Sequence, residues 1–264
     1  MRIASWNVNS IRVRLNHILG FIKKHSPDVM LLQELKAQDH DIPKEEIENL
    51  GYNFIFKGQK SYNGVAILSK HTIQDIKKSV YEDNEDEQAR YIECWIDNKE
   101  NGIRVASIYL PNGNPINSEK FDYKIKWMEK LKNRAEYLLT LEEPIILGGD
   151  FNVCPEDIDA SNPENMRNDA LFQPESRAKF REIKNLGYFD AWEILNTNNR
   201  EWTYWDYGRA FEHNKGLRID HFLLSPQALD KLDSIEIDKY FRTLEKPSDH
   251  APIIINISQS NKFK

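Results

Sequence analysis

The chain has 264 residues, 40% hydrophobic and 11% aromatic, so it can bury a large core as a single α/β domain, and its length does not require a second. Its two cysteines, Cys94 and Cys154, exclude a disulfide framework, and no apolar stretch approaches the roughly 20 residues that cross a bilayer. A formal charge of −6 argues against a broadly basic, phosphate-binding surface, so any nucleic-acid partner must be attracted by a local field.

Residues 1–7 enter a strand pattern directly, without the basic start and long apolar run of a signal peptide, which predicts a cytoplasmic protein with no membrane association. In chain order, β-branched and aromatic content between turn residues predicts strands at 3–8, 29–33, 64–69, 91–96, 105–110, 145–147, 219–225 and 252–258. Between them, Leu15, Ile18, Leu19 and Ile22 share one helical face. The acidic run at 82–87 reads as a solvated loop, and discounting it leaves the remainder near neutral. Phe121, Ile125, Met128, Leu131 and Leu138 share the face of a second helix, capped by Ser118 with Glu119 in its first turn. A third helix is expected at 174–186. No Gly/Ser/Pro-rich linker or fixed repeat interrupts the series, so residues 1–264 read as one domain. Several strands are apolar throughout and need cover on both faces, which favours sheet packed on sheet with helices outside.

Polar groups gather where these strands stop or start. Asn7 lies late in the first, Glu34 follows the second, Tyr109 is near the end of 105–110, and Asp150 and Asn152 follow 145–147 and the Gly148–Gly149 pair. Later the pattern inverts: Asp220 opens 219–225, and Asp249 and His250 precede the last strand. If the later strands run antiparallel to the earlier ones, all these groups converge on one edge. So many ionisable and amide groups cannot cluster uncompensated, and a hard divalent cation is the natural compensation. Asn7, Glu34, Asp150, Asn152, Asp249 and His250 are the candidate ligands, and oxygen donors suit Mg²⁺ or Mn²⁺ better than zinc. Each residue also has a bland reading. Glu34 alone could be solvated, Asn7 could satisfy turn backbone, and Asp150 and Asn152 could form an Asx turn. Asp249 and His250, held rigidly before Pro252, are hardest to explain as turn chemistry.

Trp6-Asn7-Val8-Asn9, Leu32-Gln33-Glu34, Tyr109-Leu110-Pro111-Asn112-Gly113, Gly149-Asp150-Phe151-Asn152, Gly216-Leu217-Arg218-Ile219-Asp220 and Pro247-Ser248-Asp249-His250-Ala251-Pro252 together resemble the ordered motifs of the exonuclease III and abasic-endonuclease family. The resemblance spans nearly the whole chain. It implies a four-layered α/β sandwich: two mostly antiparallel central β-sheets flanked by helices. It further implies a metal-dependent DNA phosphodiesterase of base excision repair, which incises 5′ to abasic sites and trims blocked 3′ ends of double-stranded DNA, with no obligate protein partner. By similarity, Glu34 and Asn7 hold Mg²⁺ with Asp249 close to it, and Asp150 activates water that Asn152 orients. His250, oriented by Asp220, donates to the phosphate, and Tyr109 assists the phosphate or the leaving group. Tyr204, Trp205, Leu217 and Ile219 match the region that lines the pocket for a flipped-out sugar, while Arg90 and Asn112 match positions beside the DNA backbone. Trp202 and Tyr207 read as core. His17, His25, His40, His71 and His213 lack paired carboxylates and read as structural, and His221 should face away from Asp220 across its strand. Another phosphodiesterase of the superfamily, or a scaffold that has lost catalysis, are the competing readings.

Overall fold

The computed structural model, which describes residues 1–81, 86–98, 102–197 and 199–258, turns the short apolar runs into strands. The elements are β1 (Arg2–Asn7), α1 (Leu15–His25), β2 (Val29–Gln33), α2 (Lys44–Glu48), β3 (Asn53–Lys57), β4 (Val65–Ser69), β5 (Thr72–Lys77), β6 (Tyr91–Asp97), β7 (Ile103–Tyr109), α3 (Glu119–Leu139), β8 (Ile145–Asp150), α4 (Pro174–Asn185), β9 (Phe189–Asp190), α5 (Ala191–Leu195), β10 (Asp220–Leu224), α6 (Pro226–Leu229), β11 (Leu232–Ile237) and β12 (Ile253–Ile257). They form two six-stranded sheets, ordered β11-β12-β1-β2-β4-β3 and β5-β6-β7-β8-β10-β9. In each sheet one central pair is parallel, β1 with β2 and β7 with β8, and the other pairings are antiparallel.

Alternation along each strand divides its side chains between two cores. Ile3 of β1, Leu31 of β2 and Ile67 of β4 meet Val105 of β7, Ile146 of β8 and Phe222 of β10 between the sheets. The intervening Ala4, Trp6, Met30 and Leu32 pack outward on Ile18, Phe21 and Ile22 of α1. Ala106, Ile108, Leu147 and Leu223 pack on Trp127, Met128 and Leu131 of α3 and Phe180 and Ile183 of α4. The result is helix, sheet, sheet, helix, the four-layered α/β sandwich that was expected. Each fully buried Leu, Ile or Phe contributes about 1.5–3 kcal/mol, so removing either outer helical layer would expose a whole sheet face.

Three local expectations change. β8 continues through Gly148 and Gly149 to Asp150, because a Cβ on Gly148 would sit 2.6 Å from Phe222 and 2.7 Å from Leu31. Only glycine lets the two sheets close at this point. The buried face of α3 is Lys124, Trp127, Met128, Leu131, Ala135 and Leu138, while Phe121 and Ile125 flank it half-buried. Ser118 occupies the N-cap position of α3, but its hydroxyl donates to Pro115 O at 2.6 Å instead of capping the helix. Of the acidic run, residues 82–85 lie outside the described residues, and Asp86 is engaged by the Tyr123 hydroxyl at 2.5 Å. Cys94 and Cys154 are both buried and free, as space-filling residues should be.

Candidate active site

The inner faces of both sheets turn polar at one end of the sandwich. Gln33 on β2, which donates to the Ser5 hydroxyl on β1 at 3.2 Å, reaches across to Ser107 on β7, whose hydroxyl accepts from Gln33 Nε2 at 3.0 Å and donates to Leu32 O at 2.9 Å. One step further, Asn7, Tyr109, Asp150 and Asp220 stand at the termini of β1, β7, β8 and β10. Asp220 pairs in register with Asp150, so antiparallel pairing brings the late residue back to the early ones. Glu34 follows the last residue of β2 and by alternation would face the outer layer. Its φ of 52° breaks the alternation and brings the carboxylate inward, a left-handed conformation that persists only under tertiary constraint.

The groups then meet. Asn7 Nδ2 donates to Glu34 Oε1 at 2.8 Å and to Asp150 Oδ2 at 2.9 Å. An amide nitrogen thus bridges two carboxylates where a cation would relieve the same repulsion. Asp150 also accepts from the Asn152 backbone N–H at 2.9 Å, while Asn152 Nδ2 donates to Leu110 O at 2.9 Å. His250 Nδ1 lies 2.8 Å from Asp220 Oδ2, and its Nε2 lies 3.7 Å from Asp150 Oδ2. Tyr109, at the end of β7, lies close enough to Glu34 and Asp150 to feel both carboxylates. Neighbouring loops hold these positions: the Trp6 indole donates to His250 O at 3.0 Å, and the Ser248 hydroxyl donates to Asn7 O at 2.7 Å.

The electrostatics are those of crowded acids in a dry site. Burial pushes Asp150 up to about 7, Asp220 and Glu34 add to the rise, and His250 opposes it. His250 is raised to about 10 although burial disfavours its charge, because Asp220 and Asp150 face the ring. Burial would raise Glu34, but Lys36 and Asn7 hold it below its usual value. Tyr109 is raised well above an ordinary phenol by burial beside Glu34 and Asp150, so it keeps its proton. Among the described residues, Glu34, Asp150 and His250 place ligand atoms within 4.8 Å of one another, a donor set able to take a divalent cation.

Other expected residues separate into near and remote. Asp249 stands apart from that trio and accepts from Asn9 Nδ2 at 3.0 Å. Asn112 reaches Asn152 Oδ1 at 3.2 Å, and the Arg90 guanidinium lies 5.0 Å from the centre of the Tyr109 ring. Tyr204 packs edge-on against His250 at 5.0 Å and, with Leu217, borders a groove of about 520 Å³. Trp205 is wholly buried against Phe211, and Ile219, 2% exposed, packs with Tyr204 and Leu217. Tyr207 departs from the core reading: it is 49% exposed, and its hydroxyl accepts from Asn9 at 2.7 Å and Arg14 at 3.1 Å. His25 does have a carboxylate partner, Asp238 at 2.6 Å, remote from the site. His221 faces the opposite side of β10 from Asp220, near Asp190 and Arg218.

Sequence reasoning missed Asn9 and Lys36, which link the two candidate ligands Glu34 and Asp249. Lys36 Nζ reaches Glu34 Oε2 at 2.7 Å and Asn9 Oδ1 at 2.6 Å. Their only signal was proximity to Asn7 and Glu34 in sequence. It also missed Lys124, fully buried on α3, which helical spacing alone would have placed among Trp127, Met128 and Leu131.

The Endonuclease/Exonuclease/phosphatase family model matches residues 4–250. Exodeoxyribonuclease III of Haemophilus influenzae is 36% identical over 262 residues, covering 96% of this chain and 98% of that one. Among solved structures, the 3′ phosphatase NExo from Neisseria bound to a product DNA hairpin superposes with a TM-score of 0.93 at 33% identity, covering 98% of this chain and 99% of that one. An AP endonuclease from Archaeoglobus fulgidus gives the same TM-score, identity and coverage.

Proposed function

The chain belongs to the endonuclease/exonuclease/phosphatase family, in the branch of exodeoxyribonuclease III and the AP endonucleases, and from that membership we propose an enzyme that incises double-stranded DNA 5′ to abasic sites and trims blocked 3′ ends. It is a hydrolytic nuclease acting on DNA phosphodiester bonds. The observation that carries the finer reading is the convergence of Asn7, Glu34, Asp150 and His250 at one end of the inter-sheet core, with Asp220 behind the imidazole.

Phosphodiester hydrolysis needs a positioned water, neutralised phosphate charge and a proton for the departing oxygen. Mg²⁺, with Mn²⁺ as a substitute, would supply charge neutralisation and a more acidic water, held by Glu34 and Asn7. Asp150 takes the proton of the attacking water, and Asn152, bonded to it through backbone and side chain, fixes the angle of that carboxylate. His250, kept protonated by Asp220, donates to a non-bridging phosphate oxygen. As the water oxygen bonds to phosphorus, the bond to the 3′ oxygen breaks, and the Tyr109 phenol, which retains its proton, is the donor for that oxygen. The groove bordered by Tyr204 and Leu217 takes a baseless sugar turned out of the duplex.

A labelled duplex with one abasic analogue, beside an intact duplex and one ending in a 3′-phosphate, tests the reading. Magnesium-dependent incision 5′ to the lesion, absent in Asp150→Ala and in chelator, is expected. Release of the 3′-phosphate without incision would assign the chain to 3′-end processing alone, the activity named for the Neisseria neighbour. Equal cutting of intact and abasic duplexes would refute lesion specificity. No helix among the described residues is long and apolar enough to cross a membrane.

A further inference from the structure

Behind the active site, α3 carries a lysine where an apolar side chain would pack. Lys124 shares its face with Trp127, Met128 and Leu131 and is completely buried. Its Nζ donates to Asn112 O at 3.1 Å and to Asn152 O at 2.5 Å. Those carbonyls belong to the two turns that leave β7 and β8, the parallel pair at the centre of its sheet. The stem of the lysine passes Gly113 so closely that a Cβ there would stand 2.6 Å from Lys124 Cδ, at a φ of 88°. The turn after β7 is therefore shaped around this side chain. A leucine or methionine would fill the same space without burying a polar group, so packing alone does not account for the amine.

The turn after β8 needs the support. Asn152 sits at a φ of 47°, a conformation that side-chain-bearing residues hold only when their surroundings impose it. From that position it donates to Asp150 and Leu110 and accepts from Asn112, so its backbone sets the aim of the Asp150 carboxylate. We propose that Lys124 is a positioning residue for DNA cleavage, a buried amine whose two hydrogen bonds clamp the turns after β7 and β8 together and so hold Asn152, and through it Asp150, in register. The proposal rests on the reading of Asp150 as the group that serves the attacking water.

Lys124→Met, which keeps the unbranched stem to Cε and removes the amine, should lower kcat on the abasic duplex about tenfold or more while KM moves less than about twofold. Combined with Asp150→Asn the same substitution should cost less than about twofold, because the carboxylate it positions is already gone. A general loss of stability would give no such dependence on background. Amide exchange in segments 110–114 and 151–154 should quicken in Lys124→Met while the rest of the molecule is unchanged, and this reads the clamp without any substrate. It therefore separates failure of the clamp from failure of the proposed reaction. If Lys124→Met does not fold, Gly113→Ala, which retains the lysine and crowds its stem, should show the same kcat loss and faster exchange. A wild-type kcat, an equal loss in both backgrounds, or unchanged exchange in the two segments would overturn the proposal.

Discussion

Asp220 gives one carboxylate oxygen to His250 at 2.8 Å and leaves the other, Oδ1, buried without a hydrogen-bond partner among the described residues. A buried carboxylate that faces an imidazole is electrostatically committed to that ring. Asp220→Asn should keep the shape and lose the charge. Turnover on abasic DNA should fall on the order of 10²–10⁴-fold, while DNA affinity in chelator changes less than about threefold. Single-turnover kinetics beside fluorescence anisotropy reads both, and unaltered turnover would refute the orienting role.

The carboxylates of Glu34 and Asp150, bridged by one amide, should welcome a cation. At a magnesium concentration about a hundredfold above Kd, mass action stabilises the fold by about 2.7 kcal/mol, or roughly 5–10 °C for a chain of this size. Differential scanning calorimetry with and without chelator should show that rise in the wild type and little of it in Glu34→Gln. An equal rise in both would place the ion elsewhere.

In chelator, His250 should make stability fall with alkaline pH. Its folded pKa, about 10, lies above the unfolded 6.5, so the folded state binds the extra proton between those values. The stabilisation is fully present below about pH 6.5 and is lost as pH rises through about 10. Melting temperatures measured between pH 6 and 10 should slope down in the wild type and run flatter in Asp220→Asn. Parallel slopes would show that the aspartate does not charge the ring.

On the outer face of β10, Arg218 is held by Asp159 at 2.6 Å and Asp190 at 2.7 Å, with His221 beside both. Although burial opposes it, Arg218 and His221 keep Asp190 well below the usual carboxylate range. Asp190→Ala would leave the buried guanidinium with Asp159 as its one close carboxylate and should cost about 3 kcal/mol, a fall in melting temperature of about 6–12 °C. The exposed pair Arg209 and Glu212 is the control, since breaking it should cost less than about 1 kcal/mol. Similar losses at the two places would mean that burial does not set the energy.

What sequence could and could not reveal follows burial. The strands at 3–8, 29–33, 64–69, 91–96, 105–110, 145–147, 219–225 and 252–258 all lie inside the sheets, where two covered faces demand unbroken apolar runs. The strands that went unread, β3, β5, β9 and β11, are the four sheet edges, and polar residues make up most of β5 and half of β11. The site was legible because Asn7, Glu34, Asp150 and Asp220 interrupt or border apolar runs at strand ends. Trp205 and Tyr207 were not, because an aromatic-rich segment looks the same whether its rings face the core or the solvent. Lys124 escaped because a lysine on an amphipathic helix is ordinarily solvated.

The same edges bear on how the molecule behaves in company. A long straight edge strand offers a row of unpaired N–H and C=O groups on which a second chain can build. Here β5 shifts register between Gln74 and Lys77, with Asp75 in a left-handed conformation, and β11 shifts between Leu232 and Ser234. A third edge, β9, is two residues long and runs straight into α5. At these three of the four open margins the run of aligned donors and acceptors is too short for a foreign strand to lengthen the sheet, while β3 keeps an unbroken register with β4 over Asn53–Lys57.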